Sequence, residues 1–403
     1  MNSRQNSAAR ESAAGLGWAL GTRWHLGGDL LRAGYRCEVV TTLEGLKALE
    51  QEWLRLYAVM EHPALFQSPS WCGLMAEALM TGTGAQAALR VVAVRAGSHL
   101  VGVMPLALTA RHGVSVLTNL GEPMSHYADV VVAPGHEGAV DAVVDTIAAM
   151  TDVDLVALRR LRGDTALART LRDAGAQTVH GARAGVLAFE GANDADALGV
   201  MTSSRGLTSA LAYRHDQARM HGLSARVLMG RNAREAAKAA LALSAQKPST
   251  EGRPSPLAEE RWSKALAAAV TTETVDLTGL VSVVERDGEA LAYDLCAISG
   301  NRLYGLHTAC VSRTEEKALT ALAVLESVSF GVAHGLCGYD FTPRGQPCAG
   351  EWASEVVALD DVLWPRSTVG RTIGLTLETR MKPWLNENIT RLPMALRRLA
   401  ARL

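Results

Sequence analysis

The stretch GLVSVVERDGEALAYDLCAISGNRLYGLHTACV (Gly279–Val311) decides the fold class. It contains three apolar runs separated by the polar tetrapeptides RDGE and SGNR. An Asp-Gly pair tolerates the positive φ angles of tight hairpin turns, so the three runs predict strands of an antiparallel meander. Apolar periodicity from Thr314 to about His334 predicts a long helix, and CGYDFT (Cys337–Thr342) predicts the strand that follows it.

The first half of the chain shows the same order of elements with an unrelated sequence. Three apolar runs, Leu89–Arg95, Leu100–Leu108 and Val114–Leu120, predict another antiparallel meander. A strand in YADVVVA, a helix in PGHEGAVDAVVDTIAAM and a strand in DLVALRRL are predicted after it. The chain therefore contains an internal repeat of architecture, with meander, helix and strand in both halves.

Further helices are predicted before the first meander and between the halves. Thr41–Met60 places its leucines on one broad face, and Ser70 is predicted to cap a helix that runs to about Met80. The segment between the halves, Asp194–Lys247, is predicted to be helical and is rich in arginine. A loop follows it, because KPSTEGRPSP (Lys247–Pro256) is dense in Pro, Gly and Ser.

Composition and charge narrow the class of protein. The chain has 403 residues, 48% of them hydrophobic, and a formal net charge of −1. This balance gives no general reason to expect binding to nucleic acid or to a membrane. The six cysteines form no CxxC pair, so we predict reduced thiols and no metal site. Since no run of about 18 apolar residues occurs, we predict a cytoplasmic protein without membrane spans.

Four short motifs and their order resemble a known family. They are LFQSPSW, LVGVMPLAL, LGEPMSHYADVVV and YDFTPRG. The order of elements resembles the core of GNAT acyltransferases, and the motifs resemble the CelD/BcsL-type acetyltransferases of cellulose and exopolysaccharide synthesis. The resemblance implies an α/β (α+β) fold of two tandem GNAT-like domains, each a mixed, mainly antiparallel sheet flanked by helices. It also implies an acyl-CoA donor, acetyl-CoA above all, and an amino sugar or polysaccharide precursor as acceptor.

The resemblance implies a division of the chain into five parts. They are a flexible N-terminal tail (1–36), an N-terminal GNAT-like domain (37–193), a helical connector with a basic face and a loop (194–256), a C-terminal GNAT-like domain (257–365), and a C-terminal extension with a basic amphipathic helix (366–403). The last helix is a candidate for weak contact with a membrane surface, and docking on the second domain is the alternative.

Acyl transfer to an amine needs a general base within hydrogen-bond reach of the nitrogen. Asp340, at the end of the strand GYD, is one candidate, and its alternative role is to pair with Arg344 and order the loop. SHYADV supplies the others. The imidazole of His126 suits a base, the phenol of Tyr127 can protonate a leaving thiolate, and Asp129 lies beside them. The alternative for this motif is an ordinary strand start with His126 exposed.

Six further residues are candidates for substrate binding because they are cationic, aromatic or adjacent to Asp340. They are Arg344, Glu351 and Trp352 after the strand, and Arg205, Tyr213 and Arg214 in the connector. Arginine binds phosphates and carboxylates through paired donors. A solvated helix face explains the connector residues as well.

The donor site implied by the resemblance departs from the family pattern. GNAT enzymes bind the pyrophosphate at a Gly-rich helix start, where the backbone N–H groups attract anions. The corresponding VSRTEEKAL has no glycine, so Thr314 would cap a helix whose first turn holds Glu315 and Glu316. Arg313 is the group there that favours an anion. Gly135 and Gly138, at the helix start of the first half, are the alternative phosphate loop.

Two other functions stay open on these residues. A FemAB-like transferase would use aminoacyl-tRNA as donor, although the near-zero net charge argues against a tRNA footprint. A non-catalytic, nucleotide-binding regulator of polysaccharide export would explain the missing glycine loop. The sequence does not indicate the oligomeric state.

Overall fold

The computed structural model describes residues 24–25, 34–60, 63–81, 87–111, 113–189, 215–216, 218–246, 255–343 and 352–381. Its strands are β1 (Trp24–His25), β2 (Tyr35–Val40), β3 (Ala87–Leu89), β4 (Val91–Ala96), β5 (His99–Met104), β6 (Leu106–Arg111), β7 (Val114–Asn119), β8 (Val131–Val132), β9 (Leu155–Arg162), β10 (Gln177–Ala188), β11 (Leu223–Met229), β12 (Thr278–Arg286), β13 (Glu289–Ser299), β14 (Arg302–Cys310), β15 (Gly338–Asp340) and β16 (Glu355–Pro365). Its α-helices are α1 (Leu43–Ala58), α2 (Pro69–Met80), α3 (Ala139–Ala148), α4 (Ala166–Asp173), α5 (Gly230–Gln246), α6 (Glu260–Ala269) and α7 (Glu316–Ala333).

The strands form two sheets. The larger has the order β11-β12-β13-β14-β15-β10-β16-β9-β7-β6-β3, and the smaller has the order β1-β2-β4-β5-β8. Neighbouring strands are antiparallel except for two parallel pairs, β7 with β9 and β14 with β15. The predicted fold class, mixed and mainly antiparallel sheets flanked by helices, is confirmed. The five-part division of the chain stays a prediction.

The second-half meander agrees with the sequence. β12, β13 and β14 pair in order, and Asp287 and Gly288 turn between the first two with φ angles of 52° and 82°. Both angles are positive, as the tightest hairpin turns require. The predicted cap of α7 is wrong, since Thr314 does not cap the helix. Glu315 occupies the N-cap position, and its N–H donates to the hydroxyl of Ser312 at 3.2 Å.

The first-half meander differs from the prediction at a proline. The run Leu100–Leu108 is two strands, because Pro105 ends β5 in the small sheet and β6 begins in the large sheet. Proline has no N–H to donate to a strand neighbour, so a run that contains it breaks there. YADVVVA is also shorter than predicted, with regular pairing only at Val131–Val132 and an isolated bridge from Ala128 to Leu161.

The connector is not helical throughout its described part. β11 pairs antiparallel with β12 at the edge of the large sheet, and α5 follows it directly. Alternate residues of β11, such as Ser224 and Arg226, are the exposed ones. This period of two is typical of a strand with one covered face, and the arginine content of the segment concealed it.

The start of α2 joins the two halves. Ser70 was predicted as the cap, but Ser68 has that position and accepts from the N–H of Trp71 at 3.3 Å. Ser70 instead donates its N–H (2.8 Å) and its hydroxyl (2.6 Å) to the carboxylate of Asp276 in the second half. Asp276 is buried, so this contact is a desolvated polar link between the halves.

One hydrophobic core is shared by both halves. It includes Trp53 of α1 and Trp71 of α2 together with Trp262 and Leu266 of α6, all of them buried. Full burial of a large apolar side chain contributes about 1.5–3 kcal/mol. β16 adds a second connection, because this late strand lies between β10 and β9. No helix in the described part of the chain is long and apolar enough to span a membrane.

Candidate functional site

The floor of the candidate site is one face of the large sheet. Tyr304 on β14 stands opposite Asp340 on β15, and Asp340 stands opposite Val186 on β10. Side chains alternate between faces along a strand, so these three share a face. Their neighbours Leu303 and Tyr339 share the other face, and both are packed in the core beneath α7.

Segments of the first half form the opposite wall. Residues 63–67, 127–129 and 162–165 contribute lining side chains or backbone to a cavity of about 540 Å³ between the halves. Such a volume lies in the range of small-molecule sites, about 300–1,000 Å³. A second cavity of about 560 Å³ between α1 and α2 contains none of the predicted site residues.

A hydrogen bond joins the two motifs that the sequence singled out. The hydroxyl of Tyr127 donates to Oδ1 of Asp340 at 2.6 Å, and the N–H of Thr342 donates to the same oxygen at 2.8 Å. Burial raises the pKa of Asp340, although these hydrogen bonds and the charge of Arg302 oppose the rise. Burial and the neighbouring carboxylate raise the pKa of Tyr127 well above its usual value, so its phenol stays protonated.

Asp129 places a second carboxylate in the cleft wall. One of its oxygens accepts from the N–H of its neighbour Val130 at 2.8 Å. Burial raises the pKa of Asp129 to about 6, against the opposing effects of that hydrogen bond and of Arg162. The carboxylate is therefore ionised at neutral pH and holds a proton more firmly than an ordinary aspartate.

The wall is fixed to the floor by polar and aromatic contacts. The amide nitrogen of Gln67 donates to the carbonyl of Tyr127 at 2.7 Å, and Gln67 is itself buried. The ring of Phe66 meets Tyr127 and Tyr304 edge to face, at centroid distances of 5.4 Å and 5.9 Å. Tyr127 thus has a fixed backbone, which directs its phenol to Asp340.

His126 lies behind the cleft wall. Its side chain is 1% exposed, it packs edge to face on Phe66 at 5.2 Å, and it does not line the cavity. The alternative reading of an exposed His126 is therefore wrong, and the imidazole is also not presented to the cleft.

The two glycines proposed for phosphate binding lie outside the cleft. Gly135 turns the chain with a φ of 81°, and its N–H donates to the carboxylate of Glu137 at 3.0 Å. Gly138 is the N-cap of α3 and lies against the ring of Tyr35. A carboxylate of the chain itself thus takes one of the N–H groups that an anion would need, so this turn does not fit a pyrophosphate.

The start of α7 does not fit a pyrophosphate either. Arg313 is exposed there, but Glu315 at the N-cap and Glu316 in the first turn follow it. Glu315 also lies 3.6 Å from the guanidinium of Arg286. Within the described ranges, no three His, Cys, Asp or Glu side chains are grouped so that they could hold a metal ion.

Of the predicted substrate-binding residues, five lie outside the described residues: Arg205, Tyr213, Arg214, Arg344 and Glu351. The sixth, Trp352, is 3% exposed and packs in the core on the α7 side of the sheet. Its side chain therefore lies across the sheet from the cleft.

Four cleft residues were missed by sequence reasoning. Arg302 belongs to a segment interpreted as a turn, Tyr304 to a strand interpreted only as core, Gln67 to a Pro-rich loop, and Arg162 directly follows a predicted strand. The available signal was a polar or aromatic residue at a strand end, which is where open sheets present side chains to ligands.

Comparisons with known proteins agree on the fold. Residues 207–349 match the family model described as "Acetyltransferase (GNAT) domain". No curated protein matches the chain. The crystal structure of FemX has a TM-score of 0.56 at 13% identity, with 80% of this chain and 98% of that chain covered. The C-terminal domain of a putative lysylphosphatidylglycerol synthetase from Agrobacterium fabrum has a TM-score of 0.51 at 10% identity, with coverages of 82% and 96%.

At these identities the structural likeness shows the fold alone. The chain has the GNAT acyltransferase fold, with the GNAT domain match in the connector and second half. The narrower CelD/BcsL-type family stays a prediction.

Proposed function

We propose that the protein transfers an acyl group from an acyl-CoA thioester to a primary amine, with the reaction in the cleft between the halves. One observation carries the proposal: Asp129, with a pKa of about 6, lines the same cavity as the hydrogen-bonded pair Tyr127–Asp340. A general base works best when its pKa lies near the operating pH. The GNAT domain match supports the reaction class.

Asp129 is the better base of the two carboxylates. Oδ1 of Asp340 already accepts two hydrogen bonds, from Tyr127 and from Thr342. Asp340 is also 4% exposed, whereas Asp129 is partly exposed in the cavity wall. A base must reach the proton that it removes, so the accessible carboxylate has the advantage.

The reaction then needs one proton acceptor among the chain's own residues. Asp129 takes a proton from the bound ammonium, and the nitrogen forms a bond to the acyl carbon. The bond from that carbon to sulfur breaks, and the nitrogen gives up its second proton, which passes through solvent to the leaving thiolate. Asp129 returns its proton to solvent, which closes the cycle.

Tyr127 acts as a positioning residue in this scheme. A phenol whose pKa is raised well above 10 is a poor acid toward a thiolate, for which a pKa near 8.5 is ordinary. The Tyr127 hydroxyl also already donates to Asp340. We therefore propose that the pair holds the wall against the floor and fixes the backbone that carries Asp129.

The donor and the biological acceptor are proposed as chemical classes. Neither helix start with a candidate phosphate site fits a pyrophosphate, so we assign no residue to that group. An amino sugar or exopolysaccharide precursor remains our proposed acceptor class. Aminoacyl-tRNA as donor, and a non-catalytic nucleotide-binding role, are the competing proposals.

Calorimetry followed by a turnover assay separates these proposals. The purified chain is titrated with acetyl-CoA, and thiol release is then followed with a panel of primary amines that includes glucosamine. We expect micromolar binding of acetyl-CoA and amine-dependent thiol release. Absence of binding together with affinity for aminoacyl-tRNA, or for a nucleotide without turnover, would refute the acyl-CoA proposal.

A further inference from the structure

Arg302 is a cation in the cleft that the proposed mechanism does not use. It begins β14, two residues before Tyr304, on the same face of the sheet. Its side chain lines the cavity. Its charge opposes the rise in the pKa of both Tyr127 and Asp340, so the guanidinium lies close enough to act on the pair.

Within the described part of the chain, no carboxylate is in ion-pair contact with Arg302, and Asp340 acts on its guanidinium only from beyond that distance. Most of the other half-buried arginines form an ion pair with a carboxylate. Arg95 pairs with Glu52 at 2.7 Å, and Arg261 pairs with Glu259 at 2.7 Å. Partial burial of a guanidinium without an anionic partner is unfavourable, so Arg302 is suited to accept an anion from a ligand.

The second arginine of the cleft is already neutralised. Arg162 donates from two nitrogens to the two carboxylate oxygens of Asp164, at 3.2 Å and 3.0 Å. This bidentate geometry satisfies both groups. Arg302 is consequently the lining arginine that has charge left for a ligand among the described residues.

The cleft also contains negative charge, which its carboxylates supply. Asp129 and Asp340 line the same cavity as Arg302, and neither forms an ion pair with a described residue. The cavity therefore offers a carboxylate in its wall, a second carboxylate on its floor, and a cation on the same floor. A ligand that complements both charges must itself carry a cation and an anion.

We infer that the acceptor is a zwitterion: an amine that also bears a carboxylate, such as an amino sugar acid, with the amine facing Asp129 and the carboxylate bound by Arg302. The inference rests on the acyl transfer proposed above. An arginine matches a carboxylate with two parallel N–H donors. A phosphate would offer related chemistry, so the experiment includes a phosphate probe.

Matched probes test the inference by direct binding. Calorimetry compares β-alanine with ethylamine, and ε-aminocaproate with pentylamine, so that each pair differs only in the carboxylate. O-phosphoethanolamine serves as the phosphate probe. We expect at least one amino acid to bind at least tenfold more tightly than its matched amine, and more tightly than O-phosphoethanolamine.

Variants at position 302 assign the effect to the arginine. Arg302→Gln should bring the amino acid to within about twofold of its matched amine, through a loss of affinity for the amino acid. Arg302→Lys keeps the charge without the two-pronged geometry and should retain part of the preference. An unaltered melting temperature of both variants, measured alongside, shows that the fold is intact.

Three results would overturn the inference. They are equal binding of the amino acids and their matched amines, tighter binding of O-phosphoethanolamine, or an equal loss for both probe types in Arg302→Gln. Thiol release, measured with the same probes after acetyl-CoA is added, keeps the two proposals apart. Turnover of all amines without preference leaves the acyl transfer intact and refutes the zwitterion. A clear preference in binding without any turnover supports the amine-and-carboxylate site and refutes the acyl transfer.

Discussion

Two parallel strand pairs in the large sheet occupy equivalent places in the two halves but serve different ends. β7 and β9 pair in the first half, and β14 and β15 pair in the second. Each pair follows a hairpin, and a helix lies in the connection between its strands. The comparison of the two pairs shows how one architecture can serve for stability in one place and for ligand contact in another.

In the first half, the end of the pair is held by ion pairs. Arg160 has a φ of 58°, in the left-handed region that favours glycine, and its N–H donates to Asp361 at 3.0 Å. Its guanidinium pairs with Glu122, while Arg159 pairs with Asp361 and Glu378. Each charged group of this cluster has a partner of opposite charge, so nothing in it calls for a ligand.

In the second half, the corresponding end of the pair faces the cavity. Asp340 is tied by hydrogen bonds instead of an ion pair, and Arg302 lacks a carboxylate partner among the described residues. The first half contributes Asp129 and Tyr127 to the wall above it. The difference teaches that unmatched charge, and not the strand pair itself, marks the functional half.

The largest expected effect is on catalytic activity, and it distinguishes the cleft from the ion-pair cluster. Asp129→Asn should lower kcat/KM for amine acylation by about 100- to 10,000-fold, because a positioned general base contributes that much. Asp361→Asn, the matched change in the ion-pair cluster at the end of β9, should leave kcat/KM within about threefold. A full rate in Asp129→Asn would remove this residue as the base.

The second expected effect is on stability and has the opposite pattern. Asp361→Ala leaves Arg159 without one of its two partners and should lower the free energy of unfolding by about 2–3 kcal/mol, since both groups are partly buried. Urea denaturation measures it. Tyr304→Phe, which removes one hydroxyl near the cleft, is the control and should cost under 1 kcal/mol. Equal losses in the two variants would mean that the ion-pair cluster has no special structural role.

A smaller effect sharpens the role of the Tyr127–Asp340 pair. Tyr127→Phe removes the 2.6 Å hydrogen bond but keeps the ring against Phe66. We expect kcat to fall by about tenfold, in line with the loss of one charge-assisted hydrogen bond, while the pH dependence keeps its shape. A larger loss, with a pH profile that no longer reports a group near pH 6, would instead make the phenol a proton carrier.

The smallest expected effect is a gain in stability when the proposed base, Asp129, is replaced. The folded protein holds the pKa of Asp129 near 6, above the unfolded value near 4, so its ionisation destabilises the fold as pH rises through that window. Asp129→Asn should therefore stabilise the protein by about 1–2 kcal/mol at pH 7, and by almost nothing below pH 4. Thermal unfolding at both pH values measures the difference. An equal shift at the two pH values would contradict the raised pKa.

Local sequence signals predicted much of the fold and part of the site. The Asp287–Gly288 turn and the spacing of apolar runs predicted the second-half meander, because hairpins are specified by adjacent residues. Tyr127, Asp129 and Asp340 were found as polar groups at strand ends. What the sequence could not show is that Tyr127 and Asp340, separated by 213 positions, share a hydrogen bond.

The errors have a common physical origin in long-range pairing. β11 was interpreted as helix because its arginines concealed a period of two, and its partner β12 lies about 50 residues later. Arg302 was assigned to the turn SGNR, because its place in the cleft depends on the pairing of β14 with the distant strand β15. His126 seemed a natural base until packing placed it behind Phe66.

The central claim is that acyl transfer takes place in the cleft between the halves, beside Asp129. A crystal structure of the protein with coenzyme A tests it most directly. We predict that the sulfur of coenzyme A lies in the cavity lined by Asp129, Tyr127 and Tyr304. Coenzyme A bound at the turn of Gly135 and Gly138, with its sulfur outside that cavity, would contradict acyl transfer beside Asp129.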